Sequence, residues 1–243
     1  MKKLFGLILG CLGSLPLHAA ESSIVIHLYS IDYPPFIIGA DVPPRQGIAL
    51  EAIQQALAHV GLRGQWVDLP WKRAQMQAQS ETYGCLAPLT RSPKREEQYR
   101  WVGLLDSSSQ SLYVLADKQA DIRTLADLKG KRVVALLGSS MAEWLHQHDV
   151  AFADLPTTED AYRELSMGVA DAWAVHSPVA RYLVKKQGRS AAQIQEALRL
   201  QETRIYLACG KRMPEDVAQR LNNAFRWLRE SGEMERITAR YLE

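Results

Sequence analysis

Strand-like runs alternate with amphipathic helical segments along this chain, and that alternation restricts the folds it can adopt. The β-rich run 24–29 is followed by apolar residues at helical spacing from Leu50 to Val60, and a second β-rich run follows at 65–69. Further strands are predicted at 83–87, 111–115, 132–137, 150–153, 170–175 and 205–209, and helices from residues 70, 140, 158 and 177, over 214–230 and over 233–241. Such a pattern predicts an α/β fold, with a parallel sheet and helices on its faces.

The α/β pattern starts twice, although neither a sequence repeat nor a low-complexity linker separates the two halves. We therefore expect two small lobes joined by crossing strands, with residues 21–110 and about 210–243 in lobe 1 and about 111–209 in lobe 2. Ligands of open α/β sheets bind beyond the carboxyl ends of the strands. A binding site is accordingly expected between the lobes.

Residues 1–20 have the order of charged, apolar and small residues that is typical of a secretory signal peptide. Lys2 and Lys3 precede the apolar stretch 4–12, and Ala19 and Ala20 come before the first acidic residue. The stretch is too short to span a bilayer, which takes about 20 residues. We predict export to the periplasm and exclude 1–20 from the fold, with the cleavage point left open.

The charge of the remaining chain argues against a nucleic-acid partner. The leader contains two of the 29 basic residues and no acid, so 27 basic side chains face 27 acidic ones. Nucleic-acid binding by counterion release draws on a basic surplus, which is missing here. We expect a monomer.

Cys85 and Cys209 are the cysteines that remain beyond the leader, and neither lies in a closely spaced Cys or His cluster. A structural zinc site is therefore not expected, and no cofactor is predicted. Export permits a disulfide. Because both cysteines lie in apolar strand-like runs, two buried free thiols are the favoured interpretation.

Several polar and aromatic residues follow the predicted strands, where a ligand would lie. The primary candidates are Tyr33, Trp71, Thr90, Arg95, Ser139, Ser140 and His176, and the secondary ones are Asp32, Arg73 and Arg91.

These segments, in this order, resemble the bacterial extracellular solute-binding proteins of family 3, the polar amino-acid uptake type. The resemblance is carried by 33–36 (Tyr-Pro-Pro-Phe), Thr90 with Arg95 five residues later, 138–140, 168–172 and the closing helices. It implies a two-lobed periplasmic-binding-protein-like fold (type II) with a ligand cleft between the lobes. It also implies capture of a small polar solute, an amino acid or related carboxylate, for an ABC-transporter permease, without enzymatic activity.

The resemblance assigns the ligand's carboxylate to Arg95, whose planar guanidinium can donate two charge-assisted hydrogen bonds to it. A solvated charge is the alternative for Arg95, and Arg91 is a rival anchor. Tyr33 and Trp71 match positions that pack on the ligand, although Trp71 could instead pack within its own lobe. Arg73 would point toward the strand ends if its helix begins at residue 70.

The helix start at Ser139 and Ser140 combines hydroxyl groups with free backbone N–H groups, which can bind anionic or polar groups. Ser140 and Glu143 also match a capping box, in which Ser140 would cap its own helix. Ser177, followed by proline, is predicted to cap the helix that begins there.

His176 is a departure from the family pattern, because amino-acid binders usually place an aspartate there to pair with the ligand's ammonium group. A histidine is mostly neutral near pH 7 and cannot replace a fixed negative charge. An α-amino acid is therefore one candidate ligand among several, and Asp32 could supply a displaced negative charge.

Two further functions stay open at this point. The fold is known to host cyclohexadienyl-type dehydratases, in which His176 or Asp32 could act as general acid or base. The lobe pair could also sense a ligand for a signalling partner, because a receptor and a permease both recognise the closed state.

Overall fold

The computed structural model describes residues 24–39, 44–117, 122–188 and 191–243; the predicted leader, 1–20, lies outside the described residues. Strands and helices alternate as predicted. The strands are β1 (Val25–Ser30), β2 (Arg63–Asp68), β3 (Gly84–Thr90), β4 (Tyr99–Leu115), β5 (Val133–Leu136), β6 (Ala153–Leu155), β7 (Ala172–His176) and β8 (Ile194–Gly210). The α-helices are α1 (Ile48–His59), α2 (Trp71–Ser80), α3 (Ser140–Gln147), α4 (Thr158–Ser166), α5 (Ser177–Lys186), α6 (Glu215–Glu230) and α7 (Glu233–Leu242).

The strands form one sheet in the order β2-β1-β3-β8-β4-β7-β5-β6. The first strand group, β1 to β3, is parallel, and so is the second, β5 to β7. Between them run β8 and β4, which are antiparallel to each other and to their outer neighbours. Each is 17 residues long, so both strands extend through the two groups. The fold therefore has the crossing strands that the doubled pattern predicts.

The two crossing strands have a stretch in which they pair with each other alone. β8 pairs with β3 at 205–209, and β4 pairs with β7 at 110–113. Between these contacts, 107–109 of β4 faces 202–204 of β8, and register shifts in the β4–β8 pairing lie on both sides of this stretch. A narrow two-stranded ribbon thus connects the two groups.

Helices pack on the sheet through apolar residues at helical spacing. In α6, Leu221, Phe225 and Leu228 are fully buried, as expected of residues three and four positions apart on one helix face. Phe225 lies against β4 at Gly103, where an added Cβ would come within 2.3 Å of its ring. Only glycine lets this helix approach the strand so closely.

Cys85 of β3 and Cys209 of β8 form a disulfide, so the expectation of free thiols was wrong. The residues are directly opposite in the antiparallel register of β3 and β8, and both are fully buried. Neighbouring strands bring two facing cysteines within bonding reach. Their separation of 124 residues hides this pairing in the sequence.

Two helix starts differ in detail from the predictions. The hydroxyl of Ser139, not that of Ser140, caps α3 by accepting from the Ala142 N–H at 3.1 Å. At α5 the capping position is His176, and the hydroxyl of Ser177 instead contacts that of Ser109 on β4. Glu143 is consequently not used in a capping box.

Within the described ranges, no helix combines the length and apolar character needed to cross a membrane. These residues also bring no three His, Cys, Asp or Glu side chains together in a way that could hold a metal ion.

Candidate functional site

All seven primary candidates from the sequence line one small cavity between the two strand groups. The cavity has a volume of about 30 Å³ and is lined by Ile31, Tyr33, Trp71, Pro88, Thr90, Arg95, Leu136, Ser139, Ser140 and His176. A space of this size holds a water molecule or two. The walls must therefore move apart before an amino acid can enter.

The cavity lies at the carboxyl ends of the parallel strands, where ligands of open α/β sheets bind. Thr90 and His176 are the last residues of β3 and β7, and Trp71 is the first residue of α2, which follows β2 after two residues. Ser140 begins α3 after β5. The first group thus contributes one wall and the second group the other.

His176 is the centre of a buried hydrogen-bond network that joins the two walls. Its Nδ1 lies 2.6 Å from the hydroxyl of Tyr33, while its Nε2 lies 2.9 Å from Nε2 of Gln110 and 3.2 Å from the hydroxyl of Thr90. The Gln110 amide oxygen accepts from Gln201 at 2.7 Å. This orientation of Gln110 places its N–H toward Nε2, so the imidazole proton belongs on Nδ1, facing Tyr33.

Burial and, second, the nearby charge of Arg95 lower the pKa of His176 to about 3. The imidazole is therefore neutral at neutral pH. Burial also raises the pKa of Tyr33, with a smaller effect from the charge of Asp106, so this phenol keeps its proton. The network is uncharged, which suits its burial.

Arg95 places a charge at this cavity although its side chain is only 4% exposed. Its Nη2 donates to Oε1 of Glu143 at 3.0 Å and to the carbonyl oxygen of Gly138 at 3.5 Å, and its Nη1 donates to the carbonyl oxygen of Thr90 at 3.4 Å. Glu143 and Gly138 belong to the second strand group, so Arg95 spans the gap between the groups.

The three secondary candidates lie outside this cavity. Arg73 is exposed and Asp32 is partly buried. Arg91 forms an ion pair with Glu96 and lies over the rings of Trp101 and Tyr206, at 5.5 and 5.7 Å from their centroids. Its side chain is thus held away from Arg95.

A second, larger cavity of about 470 Å³ adjoins the first and shares Thr90 and Ser140 with it. Glu143 lies at its wall, together with Arg91, Lys94, Trp144, His148, Gln201 and Glu202. We call the two the inner and outer cavities.

The sequence interpretation missed Gln110, Gln201 and Glu143. Gln110 is fully buried and donates to the Ser140 hydroxyl at 2.6 Å as well as contacting His176. The available signal for Gln110 was the polar run 106–111, which leads into the predicted strand 111–115. Glu143 was assigned to a capping box instead.

The comparisons with known proteins agree with this architecture. The sequence model of the bacterial extracellular solute-binding proteins, family 3, matches residues 25–243. The L-cystine-binding protein TcyJ of Escherichia coli K12 is 28% identical over 213 residues, which cover 86% of this chain and 79% of that protein.

Two solved structures show the same fold at low sequence identity. AbpA, an amino acid ABC transporter substrate-binding protein from Streptococcus pneumoniae bound to L-arginine, superimposes with a TM-score of 0.78 at 17% identity, covering 90% of this chain and 94% of AbpA. The ancestral amino acid-binding protein AncCDT-1, a precursor of cyclohexadienyl dehydratase, has a TM-score of 0.77 at 17% identity, covering 90% and 95%. With its two-lobed α/β fold, the chain belongs to family 3 of the bacterial extracellular solute-binding proteins.

Proposed function

We propose that this protein captures an amino acid or a related small carboxylate in the periplasm and delivers it to an ABC-transporter permease. The observation that carries the proposal is the inner cavity, where the buried guanidinium of Arg95 meets the N-terminus of α3. The names of TcyJ and AbpA, which state binding of L-cystine and L-arginine, support the same ligand class.

The ligand's carboxylate takes its place beside Arg95 and the start of α3. Arg95 offers several N–H donors in one plane. The Ser140 hydroxyl and the first N–H groups of α3 add donors from the opposite wall. Tyr33 and Trp71 then cover the ligand's apolar atoms.

Binding requires opening and closing of the lobes. Lobe 1 corresponds to the first strand group with α1, α2, α6 and α7, within the predicted 21–110 and about 210–243. Lobe 2 corresponds to the second group with α3 to α5, within about 111–209. The contacts of His176 with Tyr33 and of Arg95 with Glu143 join the lobes in this closed form. An entering ligand replaces these contacts with its own.

Binding without turnover is favoured by the state of His176. A general acid or base works best with a pKa near the working pH, whereas the pKa of this imidazole is about 3. Both of its nitrogens already have hydrogen-bond partners in the protein. His176 thus supports the cavity wall and is poorly suited to the dehydratase chemistry.

The test is thermal unfolding of residues 21–243 against amino acids, polyamines and small carboxylates. A ligand at about 100 times its dissociation constant adds about 2.7 kcal/mol, which raises the melting temperature by roughly 5 to 11 °C at this size. Chromatography of the same mixtures shows whether the compound is consumed. Stabilisation by an unconsumed amino acid supports the proposal, and turnover of the compound would contradict it.

Arg95→Lys and Arg91→Lys form a matched pair for locating the anchor. Both remove the guanidinium fork and keep the positive charge. We expect Arg95→Lys to weaken binding of the stabilising amino acid by about ten-fold or more, because a bidentate contact becomes a single one. Arg91→Lys should leave affinity within about two-fold. The reverse result in calorimetry would move the anchor to Arg91.

A further inference from the structure

An ion pair closes the gap between the inner and outer cavities. Arg95 comes from the short helical segment Pro93–Gln98 of lobe 1, and Glu143 from the first turn of α3 in lobe 2. The exposed fractions of their side chains are 4% and 23%, and Nη2 lies 3.0 Å from Oε1. Lys94 is also near, with Nζ 3.7 Å from the same oxygen, but its side chain is 62% exposed.

Glu143 is the negative charge nearest to the proposed carboxylate anchor. None of the described residues lining the inner cavity is acidic. In the outer cavity the other acid is Glu202, whose side chain is 68% exposed and pairs with Arg199 at 3.1 Å. His176, deep in the inner cavity, is neutral. Between the inner and outer cavities, the positive charge of Arg95 is therefore balanced by the negative charge of Glu143.

A ligand with a carboxylate alone disturbs this balance. Its negative charge would take the place of Glu143 at Arg95, and the displaced Glu143 carboxylate would lie close to it in a partly buried site. Like charges at short range repel, and burial increases the cost because solvent screens them less. Lys94 compensates weakly, since an exposed ion pair contributes little.

A zwitterion leaves the balance intact. Its carboxylate replaces Glu143 at the guanidinium, and its ammonium group replaces the guanidinium at Glu143. Each protein charge exchanges one partner for another of the same sign, so neither is left desolvated and unpaired. The outer cavity has room for the rest of such a ligand.

We propose that Glu143 is a specificity-determining residue that pairs with the ligand's ammonium group and so selects amino acids over the corresponding carboxylates. The inference rests on the proposed function, because it takes the carboxylate to bind at Arg95. Under this proposal α3 contributes two groups to ligand binding: its first backbone N–H groups face the carboxylate, and the side chain of Glu143 faces the ammonium group.

The experiment measures affinities for matched pairs of compounds in which the second lacks the α-amino group of the first, or both such groups in the case of L-cystine. The pairs are L-glutamate with glutarate, L-cystine with 3,3′-dithiodipropionate, and L-arginine with 5-guanidinopentanoate. Calorimetry on the wild type, Glu143→Gln, Glu143→Asp and Glu202→Gln uses the pair whose amino acid binds the wild type most tightly. Glu202→Gln is the control, because it removes an acid from the same outer cavity at a more exposed position.

For Glu143→Gln we expect the preference for the amino acid over its deaminated partner to fall by roughly ten- to a hundred-fold, the effect of losing a hydrogen bond to a charged group. Affinity for the deaminated compound should stay the same or increase, because the repelling charge is gone. Glu143→Asp keeps the charge and should retain part of the preference, and Glu202→Gln should retain all of it. Far-ultraviolet circular dichroism establishes that each variant is folded.

Two results would overturn the assignment of Glu143. Equal losses for both compounds in Glu143→Gln would mean that Glu143 only positions Arg95. An unchanged preference would mean that the ammonium group binds elsewhere. A wild type that is stabilised by no amino acid and no small carboxylate of the thermal-unfolding panel overturns the proposed function itself, and this result is distinct because it appears before any substitution is made.

Discussion

Replacing Cys85 and Cys209 together by alanine should lower the free energy of unfolding by about 5 kcal/mol. The disulfide joins residues that are 124 positions apart. In the chain-entropy description, closing a loop of that length in the unfolded chain accounts for about 5 kcal/mol at 25 °C. Both side chains are fully buried, so the space left by the two sulfur atoms adds to the loss. The total is a large share of the 5–15 kcal/mol typical of a folded domain.

The assay is urea unfolding followed by tryptophan fluorescence and circular dichroism, with the free energy extrapolated to water. The matched control is the wild-type protein reduced in denaturant and refolded in the presence of reductant, which lacks the bond but keeps both sulfur atoms. We expect this control to lose most of the 5 kcal/mol and the double alanine variant to lose slightly more. A loss below about 1 kcal/mol in both, with the bond shown by mass spectrometry in the untreated protein, would refute the loop-entropy reasoning.

Two further predictions concern packing and pH. Gly103→Ala should lower the free energy of unfolding by about 1–3 kcal/mol because its Cβ would overlap the ring of Phe225, which must shift. Thermal unfolding of the double variant Gly103→Ala with Phe225→Leu should show a smaller loss of stability than the sum of the two single variants. Losses that simply add would contradict the contact. His176 should make stability fall as the pH drops from about 6.5 toward 3, by up to about 1.4 kcal/mol per pH unit, because its folded pKa is depressed to about 3 and the unfolded chain binds the proton first. We therefore measure the free energy of unfolding by denaturant at several pH values between 6.5 and 5. Its decrease per pH unit should be smaller in His176→Gln than in the wild type, and equal decreases would show that His176 is not the group responsible.

Periodicity predicted most of the fold because buried faces impose it directly. The apolar spacing from Leu50 to Val60 predicted a helix, which is found at Ile48–His59. The long crossing strands were predicted only in part, at 111–115 and 205–209, whereas they extend over Tyr99–Leu115 and Ile194–Gly210. Their other residues include many polar side chains, which strand patterns based on apolar runs do not detect. The strand expected at 150–153 lies at Ala153–Leu155.

The site could be predicted as a set of positions but not as a network of contacts. Order along the chain and the position after each strand selected the residues that line the inner cavity. Nothing local indicates that Glu143 faces Arg95, because the two residues are 48 positions apart in the chain and belong to different strand groups. The capping pattern of Ser140 and Glu143 was a plausible local use for the acid. In the fold, Glu143 instead forms an ion pair with Arg95, which is distant in the sequence.

The ribbon formed by 107–109 of β4 and 202–204 of β8 has a mechanical consequence. A connection two strands wide resists stretching and in-plane bending. It bends most readily out of its plane, so it can act as a hinge, or flexure, with one preferred axis. Register shifts on both sides of the β4 stretch mark where bending concentrates. Gln110 and Gln201, which support His176, sit at one end of this flexure. Rotation about this axis would therefore change the distance between the two cavity walls, next to the residues that support His176.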